Sequence, residues 1–223
     1  MPIALDTVAD GRFTFSDTIS YTKSLMLLSS EAGFPSHWLD VWVAPGKQIT
    51  ITGEDRLLPL WRVESDIAEQ QEQNGFQDST RELNREYMGY NVSECGWFRQ
   101  MQLDHAGDEE FSRLAWAKVD SLRKYSLPLM RAVYKKELDY MVTAPVGKVY
   151  MQKLVSYAQM TVAKMFMPYS DEVKALYAQL PEAMKHTPEA ELAYQHLYPT
   201  AAVEVGDEMA DGELYDVQGG SHH

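Results

Sequence analysis

The sequence predicts an α+β fold: a small N-terminal portion containing a β-hairpin, followed by a mainly helical C-terminal bundle. Three observations carry this expectation. Two strand-like runs, 39–44 and 48–52, flank Pro45-Gly46-Lys47. From residue 111 onward apolar residues recur at the three-to-four spacing of a helix face. Prolines and helix-capping residues then punctuate the second half at regular intervals.

In the first half, Asp10-Gly11 signals a turn and Arg12 to Phe15 alternates like a strand. Ser20 to Ala32 reads as a helix, although Ser24 to Leu28 would equally extend a strand. The firmest local feature is the hairpin around Gly46, in which Ile49 and Ile51 alternate with Thr50 and Thr52. Val63 to Gln73 is polar and reads as an exposed helix that stops before Asn74-Gly75. Asp78 to Met88 follows as a second helix, with Gly89 just past its end. Gly89 to His105 is aromatic and irregular.

In the second half, Asp108, Glu109 and Glu110 open a helix with the acids its dipole favours. Phe111, Ala115, Val119, Leu122, Leu129 and Val133 share one of its faces. Pro128 removes a hydrogen bond from that helix and predicts a kink or a junction between two helices. Val149 to Phe166 forms the next helix. Ser170 caps a short one that ends at Pro181. Thr187-Pro188-Glu189 starts the last, which stops at Pro199. The organisation is therefore a mixed portion over 1–106, a helical portion over 107–199 and a disordered acidic tail over 200–223, whose final Gly-Gly-Ser-His-His resembles a linker and tag remnant.

Charge is segregated. Residues 1–110 hold 8 Lys/Arg against 19 Asp/Glu, residues 111–153 hold 9 against 3, and residues 154–223 hold 3 against 11. The net charge of −13 argues against broad non-specific binding to nucleic acid. The single cysteine, Cys95, rules out an intramolecular disulfide and suits a reducing compartment. The first residues lack a basic signal region, and no apolar run approaches a bilayer span. A cytoplasmic protein with no membrane partner is expected.

The basic segment is the best candidate for a site. Arg113, Trp116, Lys124, Arg131 and Lys135 fall within about a third of a helix circumference, with Arg123 nearby. Arg113, Trp116, Arg123, Lys124, Arg131 and Lys135 are therefore the expected partner-binding residues. The competing interpretation is a solvated helix face paired with the acidic flanks. Asp104 to Glu110 offers carboxylates and His105 for a metal, but helix starts attract acids without any such role. Gly147-Lys148 is not a phosphate loop: Val142 and Val149 occupy positions that motif reserves for Gly and for Ser or Thr. No Gly-x-Ser-x-Gly elbow occurs. His37, His186 and His196 are isolated, and Cys95 reads as a packed thiol. No catalytic residue, metal or cofactor is expected.

The expected function is that of a non-enzymatic interaction protein: a subunit, adaptor or inhibitor docking a charged helical surface on a protein partner. Self-association as a homo-oligomer is compatible with this. The acidity and the motif-free composition suit viral or phage assembly proteins, and an acidic surface could mimic nucleic acid. One alternative is a nucleic-acid-binding protein acting through 111–153. The other is a metal-dependent hydrolase using Asp104 to Glu110.

Overall fold

The structure is a computed structural model. It describes residues 4–31, 34, 35, 37–164 and 166–199, together with the backbone of 214, 215, 221 and 222. The fold is α+β, with small antiparallel strand pairs at the N-terminal side and five helices after them.

Asp10 and Gly11 both adopt positive φ, and Ala9 and Arg12 exchange two 2.9 Å backbone bonds across them. That is a two-residue turn of the kind Asp-Gly favours. Arg12 to Phe15, however, lies in no strand beyond this isolated bridge. Strand β1 (Lys23–Leu27) pairs antiparallel with β2 (Leu39–Val43), setting Lys23 opposite Val43 and Leu27 opposite Leu39. The strand alternative for 24–28 therefore replaces the helix expected over 20–32. Strand β3 (Thr50–Thr52) pairs with β4 (Arg62–Glu64), with Ile51 opposite Val63.

The expected hairpin between 39–44 and 48–52 is thus corrected. Both runs are strands and Gly46 makes the turn at φ +68, but the two strands pair with other partners. The reason lies in Gln70. Its Oε1 accepts from the Trp42 N–H at 2.8 Å, occupying the outer edge of β2. Its Nε2 donates to Asn74 Oδ1 at 2.9 Å, and Asn74 Nδ2 donates to the Val63 carbonyl at 2.7 Å. Gln70 is fully buried. This amide chain ties both strand pairs to the first helix and satisfies the polar atoms it buries.

Helix α1 (Ala68–Arg99) is continuous, where the sequence suggested a break at Asn74-Gly75, a second helix ending at Gly89 and an irregular stretch after it. Asn74 spends its side chain on Val63 and Gln70 rather than on ending the helix. At Gly75 a Cβ would lie 2.3 Å from the Tyr140 hydroxyl, so the residue permits a close approach of the next helix. Interior glycine costs about 1 kcal/mol relative to alanine, which long-range packing offsets. A π turn (Gln100–Asp104) ends the helix.

Helix α2 (Glu109–Met141) runs antiparallel to α1. Asp108 caps it, accepting from the Phe111 N–H at 2.9 Å. It passes through Pro128 as one helix. Pro128 and Lys124, whose carbonyl loses its helical donor there, are both exposed. Helix α3 (Lys148–Met160) stops six residues before the expected Phe166. Thr161 turns its hydroxyl back onto the Ala158 carbonyl at 2.7 Å and the chain leaves the helix in turns. Helix α4 (Ser170–Ala178) begins after Tyr169, so Ser170 is its first residue and not its cap. Helix α5 (Pro188–Leu197) is capped by Thr187 as expected, with Ala190 N–H donating to Thr187 Oγ1 at 3.3 Å. The acidic tail lies outside the described residues, apart from short strands β5 (Leu214–Tyr215) and β6 (Ser221–His222), which pair antiparallel.

The main core gathers α3, α4 and α5 against the open end of the α1/α2 hairpin, with Trp42, Phe76, Leu138, Met141, Leu154 and Val173 buried in it. A smaller core under the strands holds Leu39, Val41, Leu58 and Val63. Two carboxylates weld α3 in place. Glu72 of α1 accepts from the N–H groups of Val149 at 3.0 Å and Tyr150 at 2.7 Å, capping α3 from another helix. Glu137 of α2 is buried and accepts from Lys153 Nζ at 2.7 Å and from the Tyr157 hydroxyl. A Cβ on Gly147 would stand 2.5 Å from Glu72 Oε2, so that residue must be glycine for the cap to form.

Both Glu72→Ala and Gly147→Ala should therefore destabilise the fold by about 2 kcal/mol, a drop in Tm of roughly 4–8 °C for a chain of this size. The double variant should lose little more than either single one, because both remove the same cap. Additive losses in thermal melts would separate the two residues.

Candidate functional site

All six residues singled out by the sequence lie on α2. At 100° per residue, Arg113, Lys124, Arg131 and Lys135 align within about 40° of one another. Trp116 and Arg123 lie about 60–80° further round, toward α1. Arg113 and Lys124 are exposed, while Arg131 and Lys135 are half-buried. Lys135 is ion-paired to Asp139. Among the described residues, Arg113, Lys118, Lys124 and Lys136 form no ion pair. Lys148 lies 4.9 Å from the centre of the Trp42 ring, and Lys153 is taken by Glu137. The structure thus divides the basic block. In its C-terminal part Lys135 and Lys153 pair with carboxylates and Lys148 lies over a ring, while Lys136 is exposed; in its N-terminal part Arg113, Lys118 and Lys124 face outward.

The outward part belongs to the turn end of the α1/α2 hairpin. The α1 segment from Phe76 to Arg99 is roughly 35 Å long, and after Phe76 it contributes no residue to either core. There the two helices hold each other through rings. Tyr90 stacks on Tyr125 at 5.6 Å, Phe98 meets Trp116 edge-on at 5.2 Å, and Trp97 and His105 both contact Phe111. Buried Met88, Ala115 and Val119 belong to neither core. Leu103, Leu114, Trp116 and Tyr125 remain 45–67% exposed. Rings that the sequence suggested lie in an irregular stretch are the seam of this hairpin.

A half-open cavity of about 210 Å³ lies along that seam. From α1 come Tyr87, Asn91, Glu94, Cys95 and Phe98. From α2 come Arg123, Ser126, Leu127 and Met130, and Phe166 closes one side. Glu94 is buried; its Oε1 accepts from the buried Ser126 hydroxyl, and its Oε2 lies 3.6 Å from Arg123 Nε. The Arg123 guanidinium sits 5.7 Å from the Phe98 ring and 5.8 Å from that of Trp116. Asn91 Oδ1 faces His37 Nε2 at 2.8 Å and Cys95 Sγ at 3.9 Å. Burial, reinforced by Glu94, pushes the Cys95 thiol up. Desolvation, then Tyr134 and Glu94, pushes the Tyr87 phenol up to about 12. Both groups are therefore neutral near pH 7.

Sequence reasoning missed Glu94 and Ser126, which stand 32 positions apart. The one signal was the spacing 87, 91, 94, 98, a helical face that becomes visible only once α1 is read as unbroken. A second cavity of about 230 Å³ beside Trp61 is lined by Arg62, Arg81 and Arg85, of which Arg85 pairs with Asp55 at 2.7 Å and Arg81 donates to the Leu60 carbonyl at 2.6 Å.

Asp104 to Glu110 is exposed. Asp108 is spent as the α2 cap, and His105 is stacked on Phe111 at 3.7 Å. Among the described residues, no group of three or more His, Cys, Asp or Glu side chains could hold a metal ion. No described helix is long and apolar enough to cross a membrane. Comparison of the chain with protein-family models, curated proteins and solved structures finds no match.

Between about pH 10 and 12 the folded state keeps the Tyr87 proton that an unfolded chain, with its ordinary value near 10, gives up. Stability therefore falls as pH rises through that window. In Tyr87→Phe the urea midpoint should fall less steeply from pH 10 to 12 than in the parent chain. Equal slopes would show that the phenol is not held in the seam.

Proposed function

We propose that this chain is a non-enzymatic interaction protein, a subunit, adaptor or inhibitor that docks the turn end of its α1/α2 hairpin on an acidic face of a protein partner. One observation carries the reading. Arg113, Lys118 and Lys124 are exposed without ion pairs beside exposed Leu114, Trp116 and Tyr125, on a stretch of hairpin outside both cores. Cationic groups around partly exposed rings supply both steering and apolar burial, the combination that makes binding hot spots.

Nucleic acid is the weaker reading. Trp116 and Tyr125 each give one surface to a ring of α1, which leaves less of them for stacking on bases. Asp120 lies about 20° from the Arg113–Lys124 line, and the whole chain carries −13.

Polyglutamate serves as a defined acidic probe. The chain should bind it at 50 mM salt and lose about tenfold or more in affinity by 300 mM. Arg113→Glu combined with Lys124→Glu should weaken binding by a similar factor while leaving the thermal melt unchanged. A single-stranded oligonucleotide should show no binding under the same conditions. Binding to the oligonucleotide but not to polyglutamate, abolished by the same reversal, would establish the nucleic-acid reading instead. Failure to bind either probe would end both.

A further inference from the structure

The seam cavity holds an ion pair whose hydrogen-bonding capacity is not used up. Glu94 is buried, yet among the described residues only its Oε1 takes a hydrogen bond, from Ser126. Its Oε2 is 3.6 Å from Arg123 Nε, beyond hydrogen-bond distance. The Arg123 guanidinium packs beside the edge-on Phe98–Trp116 pair, its centre 5.7 Å from one ring and 5.8 Å from the other. A carboxylate acceptor and a guanidinium thus stand side by side in the cavity lining. Leu127, Met130 and Phe166 supply apolar lining, beside the uncharged Tyr87, Asn91 and Cys95. Placing a carboxylate between two helices costs stability that a well-packed apolar residue would not.

We propose that this cavity binds a free apolar α-amino acid as its zwitterion. The ligand carboxylate would take the Arg123 fork, its ammonium would donate to Glu94 Oε2, and its side chain would lie against Leu127, Met130 and Phe166. The head group matches the pair charge for charge, so neither protein charge is left unpaired when water is displaced. A lone cation would meet Arg123, and a lone anion would meet Glu94. The volume of about 210 Å³ lies below the range for drug-sized ligands and suits a small one. The neutral Tyr87 phenol, Cys95 thiol and Asn91 amide add no competing charge.

Calorimetric titration of the full chain with L-leucine, L-methionine and L-phenylalanine tests this. At least one should bind saturably, about tenfold or more tighter than its analogue lacking the carboxylate or the ammonium. For leucine these are isopentylamine and 4-methylpentanoate. Glycine, without an apolar body, should not bind. Arg123→Gln should reduce the amino acid to the affinity of the amine while leaving the amine unchanged. Glu94→Gln should do the same with respect to the acid. Arg123 is half-exposed, so its variant keeps the fold, as a thermal melt would verify. The proposal fails if none of the three binds below about 10 mM. It also fails if both analogues match the amino acid, or if folded Arg123→Gln still discriminates.

Discussion

The carboxylate of Glu72 fixes where one helix begins against another, and the bundle is built around that contact. Val149 and Tyr150 present the unpaired N–H groups that every helix start must satisfy. Gly147 offers no side chain to do it. Glu72 reaches across from α1 and accepts both, so α3 cannot slide along α1 without exposing two donors. Once α3 is seated, Tyr157 meets Glu137 and Tyr134 of α2, and Leu154 and Ala158 are buried in the core that α4 and α5 complete. A two-pronged polar contact sets register in a way that apolar contacts of similar area do not, because a shifted apolar surface still buries area.

The same device recurs at each junction. Gln70 joins the strands to α1, Glu137 joins α2 to α3, and Glu94 joins α1 to α2. Glu72, Gln70 and Glu137 are satisfied by short bonds and lie at or beside the cores. Glu94 is satisfied on one oxygen among the described residues and opens onto a cavity. That difference separates a structural polar group from one with capacity to spare. It also explains why a chain with neither catalytic motif nor metal cluster among its described residues still has a place worth probing.

The overall class was legible in the sequence because the class depends on periodicity and on stops. The helix face from Phe111 to Val133, the Thr187-Pro188 start and the Asp10-Gly11 turn are local signals, and local physics decided them. What was not legible was settled across long separations. Nothing near Trp42 announces that its N–H is taken by Gln70, 28 positions on, so the pairing of β2 was assigned to the wrong strand. Nothing near Gly75 announces Tyr140, so a tolerated glycine read as a terminator. Of the six candidate residues, helical spacing grouped four on one line. It could not show that Arg123 turns inward to a carboxylate 29 positions earlier.

The segregation of charge along the chain follows from this division of labour. Basic residues late in the 111–153 block neutralise carboxylates or cover rings within the bundle: Lys135 on Asp139, Lys148 on Trp42, Lys153 on Glu137. Lys153, whose carboxylate partner is buried, is structural, and reversing it would damage the fold before it damaged any interaction. Basic residues early in the block stand on a hairpin that holds itself together through Tyr90, Phe98 and their partners on α2. Changing them leaves the main core untouched. A surface whose charges can be altered independently of folding is one on which binding specificity can be built. Within the basic segment, the turn end of the hairpin meets that condition together with exposed aromatic area, which is why the docking reading rests there and not on the basic segment as a whole.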